Sequence, residues 1–200
     1  MVSVIIPTYN RSALLKEAVV SVYEQSYRPI ECIVVDDGST DETLSIIQDI
    51  QKVESRIQLI IQEKNAGPAI TRNKGIELAK GNYLTFLDAD DIWFPDFIQN
   101  SINTIQQTNI PFVFSSYRRS DEALNFIYSD FIVPQKVTYS DILKTNSISC
   151  LTAFLDIGEI GKKQMPIIHK RQDMGLWLQY LKEIPYAYGI QEPKAIYRIR

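Results

Sequence analysis

Apolar and polar positions alternate along the first half of the chain in blocks whose period switches between that of a strand and that of a helix. Val2–Ile6 is a β-branched run that reads as a buried strand, and Ser12–Ser26 carries Leu14, Leu15, Ala18, Val19, Val22 and Tyr23 on one helical stripe. Ile30–Val35 repeats the strand pattern. Ser39 followed by Glu42 matches a capping box and predicts a helix through Val53, with a third strand at Ile57–Ile61. Pro68 suits the first turn of a helix that runs to Lys80 and stops at Gly81, and Tyr83–Leu87 is a fourth strand.

Strand and helix alternating with connections this short predict an α/β fold, a Rossmann-like and mostly parallel central sheet with helices on both faces. Such a sheet binds ligands beyond the carboxyl ends of its strands. Polar clusters follow each of the four strands, at Pro7–Asn10, Asp36–Asp41, Glu63–Gly67 and Asp88–Asp91. All four are expected at one edge of the sheet.

The second half is less regular. Pro95–Gln107 predicts a helix, Phe112–Ser116 a strand, and the polar-aromatic stretch Tyr117–Tyr139 either a hairpin or a mobile loop. Ser140 can cap a short helix to Lys144, Leu151–Leu155 reads as a strand, and Arg171–Lys182 as a helix with Met174, Leu176, Trp177, Tyr180 and Leu181 mostly inward. Tyr186–Tyr188 and Ala195–Ile199 are two short β-like runs. No linker separates the halves, so one domain over 1–200 is expected, with residues 1–91 on the nucleotide side and 92–200 on the acceptor side.

Composition narrows the classes. At 200 residues and 45% apolar the chain can bury a real core, and 21 basic against 24 acidic side chains give no electrostatic excess for a nucleic-acid partner. The longest apolar runs fall far short of the ~18–20 residues that span a bilayer, and the first residues lack the features of a signal peptide. Cys32 and Cys150 show no Cys-x-x-Cys spacing, which argues against a disulfide framework and against zinc and favours a reducing, cytoplasmic setting.

Asp88-Ala89-Asp90 at a strand end is the sharpest chemical feature. Two carboxylates aimed at a phosphate need a divalent cation between them, and an oxygen-only ligand set favours Mg²⁺ or Mn²⁺. Their alternative is a pair of loop carboxylates capping the helix near Pro95. Asp36-Asp37 can accept from a base or ribose, or cap a helix that Ser39 already covers, while Tyr9 can stack on a planar base or pack at its strand end.

Val4-Ile-Ile-Pro-Thr-Tyr-Asn10, Val34-Val-Asp-Asp-Gly-Ser-Thr-Asp41, Asn65-Ala-Gly-Pro-Ala-Ile-Thr-Arg-Asn73 and Leu87-Asp-Ala-Asp-Asp91 resemble, in order and spacing, the motifs of the family 2 glycosyltransferases with the GT-A fold. The resemblance implies that Tyr9 stacks on uracil and Asp37 bonds to the base, with Pro7 and Thr8 lining the same pocket. It brings Arg72 near the nucleotide phosphates, with Lys64 and Asn65 close by, sets Asp88 toward the ribose or sugar, and makes Asp90 the principal ligand of Mn²⁺ or Mg²⁺, with Asp91 able to assist either. That family carries a catalytic base in an acidic dipeptide heading a late helix. Here Gln172-Asp173 takes its position, which implies Asp173 as the base, against the plainer role of an acid stabilising the positive end of its helix.

The activity so implied is inverting transfer of a sugar from a nucleotide-sugar donor, foremost a UDP-sugar, to a saccharide or lipid-linked saccharide in cell-surface polysaccharide synthesis. Lipid-linked acceptors imply peripheral contact with the inner face of the membrane. Relatives commonly continue past Arg200, so acceptor or membrane contacts are expected in part from a tail beyond it. Two other classes have to be weighed: a nucleotide-sugar binding module, for which loss of Asp90 or Asp173 is expected, and a receiver-type phosphoacceptor, which needs an aspartate after the third strand where Gln62-Glu63-Lys64 stands. An oxidoreductase lacks its Gly-x-Gly-x-x-Gly after the first strand. His169, the sole histidine, reads as solvent-facing. Lys162-Lys163 and Lys170-Arg171 are either phosphate attractors or a solvated face.

Overall fold

The structure is a computed structural model that describes residues 1–199; residue 200, the last of the expected single domain, lies outside them. Its elements are β1 (Val2–Thr8), α1 (Ser12–Tyr23), β2 (Ile30–Asp36), α2 (Thr43–Val53), β3 (Ile57–Ile61), α3 (Pro68–Leu78), β4 (Tyr83–Phe86), β5 (Ile92–Trp93), α4 (Phe97–Thr108), β6 (Phe112–Ser120), β7 (Lys136–Val137), α5 (Tyr139–Lys144), a 3-10 turn (Cys150–Thr152), β8 (Phe154–Asp156), α6 (Ile157–Ile160), α7 (Gln172–Leu181) and β9 (Ala187–Arg198). Among the described residues they form one nine-stranded sheet in the order β3-β2-β1-β4-β8-β6-β9-β5, with β7 paired to β9. β1, β2, β3, β4, β6 and β9 run one way, and β5, β7 and β8 run against them.

Alternation along the central strands builds two cores. Ile5, Ile33 and Phe86 face one side, where they pack with Phe112 and with Trp177 and Tyr180 of α7. Val4, Ile6, Cys32 and Val34 face the other, against Leu15 and Val19 of α1, Ile47 of α2 and Phe97 of α4. Strands buried on both faces explain the unbroken apolar runs of the first half. Cys32 and Cys150 are free and buried. No helix of the described residues is long and apolar enough to cross a membrane.

Helix α3 lies so close to β1 that a Cβ at Gly75 would meet Ile5 Cγ2 at 2.6 Å. Ile5 is fully buried and has no room to retreat. Gly75→Ala is therefore expected to cost about 1–3 kcal/mol by overpacking, read as a lower urea midpoint with an unchanged slope.

Several local expectations are corrected. Ser39 forms no capping box: α2 starts at Thr43 with no side-chain cap from Glu42, and Ser39 Oγ instead accepts the Asn10 N–H at 2.9 Å. The serine is thus spent on tying the β1–α1 loop to the β2–α2 loop. Helix α5 is capped by Thr138, in a reciprocal capping box with Asp141, and Ser140 lies inside the helix. Leu151 and Thr152 belong to the 3-10 turn, so the strand there is Phe154–Asp156; the indole N–H of Trp93 donates to the Leu151 carbonyl at 2.8 Å. The two terminal β runs are parts of one twelve-residue strand, β9, because β5, β6 and β7 all pair with it. Within Tyr117–Tyr139, β6 continues to Ser120 and Tyr117 bridges Phe131, their rings stacked 5.0 Å apart.

Candidate active site

Parallel register brings the ends of β1, β2, β3 and β4 to one edge, and their loops enclose a cleft of about 310 Å³. That volume falls in the ordinary range of small-molecule sites. Pro7, Thr8, Tyr9 and Arg11 line it from the first loop, Asp37 from the second, Asn65 and Gly67 from the third, Pro68, Thr71 and Arg72 from α3, and Asp88, Ala89 and Asp90 from the fourth. Lys64, exposed, lies outside this lining.

Backbone and side-chain bonds latch the loops to one another. The Asp37 N–H donates to the Thr8 carbonyl at 2.9 Å, and Asn10, with φ of 50°, accepts the Thr40 N–H at 2.9 Å on its side-chain oxygen. Asp36 turns away from the cleft; its Oδ2 accepts the N–H groups of Gly38 and Ser39, which shapes the loop from within. Asp37 holds the third loop. Its Oδ1 accepts from Gln62 Nε2 and the Ala66 N–H, both at 2.8 Å, and its Oδ2 from the Gly67 N–H at 2.9 Å. Gly67, at φ +89°, takes a conformation that a side chain would strain, and it delivers Pro68 into the first turn of α3. Tyr9 remains 42% exposed at the rim, with a ring face open to stacking.

The acidic turn divides its carboxylates. The Asp91 N–H donates to the Asp88 carbonyl at 3.0 Å and closes a tight turn in which Asp88 and Asp90 line the cleft. Asp91 points inward, 1% exposed, and accepts the Arg198 N–H at 2.9 Å. Unlike Asp88 and Asp90, the neighbours it was expected to assist, it is not part of the cleft lining. Burial, then the charge of Asp88, pushes its carboxyl well above the usual range, against the Arg198 N–H bond, while Asp90 adds to the rise.

Asp88 forms an ion pair with Arg72 of α3, and Asp90 Oδ2 lies 3.6 Å from Arg11 Nε. Arg72 is nearly buried. Burial alone would depress its pKa, but Asp88 and, more weakly, Cys150 and Asp173 raise it above the ordinary arginine value. Two carboxylates and no soft ligand make a donor set suited to Mg²⁺ or Mn²⁺, which takes one or two carboxylates and completes its shell with phosphate and water. Among the described residues no cluster of three or more His, Cys, Asp or Glu could hold a metal by itself.

Asp173 sits in the first turn of α7, half-buried, outside the cleft lining but near enough for its charge to act on Arg72. Its Oδ2 accepts from Asn146 Nδ2 at 3.1 Å. Gln172 bonds instead to the Ile168 and His169 carbonyls, at 3.0 and 3.1 Å, so it shapes the approach to the helix. Asn73 clasps the segment before α7 to α3 through both backbone groups of Met165, at 2.8 and 2.7 Å. His169 is exposed. Lys162 donates to the carbonyls of Glu77 and Ala79 at the end of α3, and Lys163 pairs with Glu183, so this basic pair is structural.

Arg11, Asn73 and Asn146 were not singled out from the sequence. Asn73 closes the third motif and Arg11 directly follows the first, but Asn146 lies in a stretch with no pattern at all.

The sequence model described as "Glycosyl transferase family 2" matches residues 3–155, a span that carries all four loops of the cleft. The chain belongs to this family. TuaG of Bacillus subtilis, named for teichuronic acid biosynthesis, is 39% identical over 199 residues, covering 100% of this chain and 79% of TuaG. A glycosyltransferase of Escherichia coli, WfgD, is 36% identical over 183 residues, covering 92% of this chain and 70% of its own; its name gives UDP-Glc as donor, α-D-GlcNAc-diphosphoundecaprenol as acceptor and a β-1,3 linkage. Among solved structures, residues 1–349 of TarS from S. aureus in complex with UDP-GlcNAc superpose with a TM-score of 0.80 at 20% identity, covering 100% of this chain and 58% of that one. The mannosyltransferase PcManGT of Pyrobaculum calidifontis, solved with GDP-Man and Mn²⁺, gives 0.77 at 22% identity, covering 100% and 57%. The fold of this family 2 glycosyltransferase is thus GT-A, and the chain spans less than two thirds of the solved chains it resembles.

Proposed function

We propose that the chain transfers a sugar, with inversion, from a nucleotide-activated donor, most simply a UDP-sugar, to a hydroxyl of a saccharide or lipid-linked saccharide in cell-surface polysaccharide synthesis. The observation that carries this reading is the convergence of Tyr9, Asp37, Arg72, Asp88 and Asp90 on one cleft, with Asp173 near enough for its charge to act on Arg72. Residues 1–91 form the donor half and 92–200 the acceptor half of a single domain.

Each role follows from chemistry already described. Tyr9 stacks on the uracil, and Pro7 and Thr8 line its pocket. Asp37 Oδ2, bonded only to the Gly67 N–H, keeps a lone pair for an N–H of the base. Arg72 brings a permanent positive charge to the diphosphate, while Asp88 Oδ2, outside the bond to Arg72, accepts from a ribose or sugar hydroxyl. Asp90 would hold Mn²⁺ or Mg²⁺, which when bound offsets the negative charge that develops on the leaving diphosphate. Asp173 takes the proton of the acceptor hydroxyl as that oxygen attacks the anomeric carbon from the face opposite the diphosphate. A single displacement needs one base and no nucleophilic side chain. WfgD, whose name gives UDP-Glc as donor and a diphosphoundecaprenol-linked sugar as acceptor, supports by analogy a UDP-sugar donor and a lipid-linked acceptor.

A lipid-linked acceptor would bring the chain to the inner face of a membrane. Ile167 and Ile168, exposed just before α7, offer apolar contact there. The test of the whole reading is transfer and hydrolysis across UDP-, GDP- and dTDP-sugars with Mn²⁺ and with chelator. Preferred turnover of a UDP-sugar that chelator suppresses is the expected result; binding of UDP without turnover of any donor and acceptor offered favours the plain binding module.

A further inference from the structure

The acidic turn is suspended between two unequal supports. On its first side β4 is built into the middle of the sheet, paired with β1 and β8. On its second side β5 is two residues long and, among the described residues, pairs only with β9, through Ile92–Ile196 and Trp93–Ala195. The position of Asp90 therefore depends on β9. Arg198, at the end of that strand, meets the turn directly. Its backbone N–H donates to Asp91 Oδ1 at 2.9 Å, its Nη1 donates to the Asp90 carbonyl at 2.7 Å, and its Nη2 pairs with Glu17 of α1. The side chain is 1% exposed, whereas that of Glu17 is 50% exposed.

A buried guanidinium is costly unless its donors are matched, and here its two terminal nitrogens reach two different elements at once. The planar fork makes that possible; an ammonium on a flexible stem could serve one acceptor but not hold both in fixed geometry. We propose that Arg198 is a positioning residue for the cation site: it fixes the backbone of Asp90 against α1, so that the Asp90 carboxylate is presented to the metal and diphosphate in a set orientation. The proposal rests on the reading of Asp90 as the metal ligand. No substitution at 198 other than proline removes the backbone bond to Asp91, so side-chain variants isolate the contact to Asp90.

The test measures Mn²⁺ binding in the presence of UDP by loss of the aqueous Mn²⁺ EPR signal, alongside UDP binding in chelator. Arg198→Met is expected to weaken Mn²⁺ by about tenfold or more, the usual effect of removing a group that orients a metal ligand, with UDP affinity in chelator held within about twofold. Arg198→Lys is expected to recover only part of the loss. Ile102→Ala, a cavity in the core under the inner face of α4, a helix that contributes nothing to the cleft lining, serves as a control that lowers the melting temperature without moving the Mn²⁺ titration. Should Arg198→Met not fold, Glu17→Gln loosens the same brace from its exposed end and is expected to weaken Mn²⁺ by about two- to threefold. Mn²⁺ binding by Arg198→Met, or failing that Glu17→Gln, no weaker than that of Ile102→Ala overturns the proposal. Asp90→Asn run in parallel separates the two failures: if it binds Mn²⁺ normally, the metal assignment itself is wrong, and if it loses Mn²⁺ while the Arg198 variants do not, only the positioning role falls.

Discussion

Asp90→Asn is expected to lower kcat for sugar transfer at least about a hundredfold, the rate equivalent of about 3 kcal/mol of lost leaving-group stabilisation. The substitution keeps size and shape and removes one negative charge from the cleft. Arg11 loses its partner and Asp88 is left as the only lining carboxylate of that turn, already engaged by Arg72. A diphosphate and Asp88 alone bind a divalent cation poorly, so raising Mn²⁺ should restore part of the rate. UDP binding in chelator should persist, because Tyr9 and Asp37 belong to other loops. Transfer at the parental rate and parental Mn²⁺ dependence would show that the cation, if needed, is held elsewhere.

Asp173→Asn carries the second large effect, a fall of about 10²–10⁴ in kcat with little change in donor KM, the usual scale for removing a general base. The fold should survive. The amide oxygen still accepts from Asn146, and α7 is anchored by Leu176, Trp177 and Tyr180 in the core, which the change leaves in place. A purely electrostatic role at the helix terminus predicts something different, a stability loss of about 0.3–1 kcal/mol with turnover retained. Steady-state kinetics with a denaturation curve on the same preparation tells the two apart.

The first half of the chain was legible because its information is local. Each strand is a short β-branched run, each run is followed by its polar cluster, and the parallel register carries all four clusters to one edge without any long-range knowledge. What escaped depends on contacts between distant residues. Ser39 has the spacing of a cap, yet the Asn10 N–H of the β1–α1 loop claims it. In Asp88-Ala89-Asp90-Asp91 the sequence offers three like carboxylates; only the turn closed from Asp91 to Asp88 decides which two face the ligand. β8 slips between β4 and β6, and β9 gathers pairings with three strands, choices that no local pattern encodes. Arg198 and Glu17 stand 181 positions apart, so their pairing was invisible until the fold was built.

A crystal structure of the chain with UDP and Mn²⁺, with data collected at the manganese edge, tests the donor site most directly. The expected result is an anomalous peak about 2.1 Å from an Asp90 carboxylate oxygen and against the diphosphate, with uracil stacked on Tyr9 and bonded to Asp37. A manganese peak away from Asp90, or uracil seated away from Tyr9 and Asp37, would contradict it.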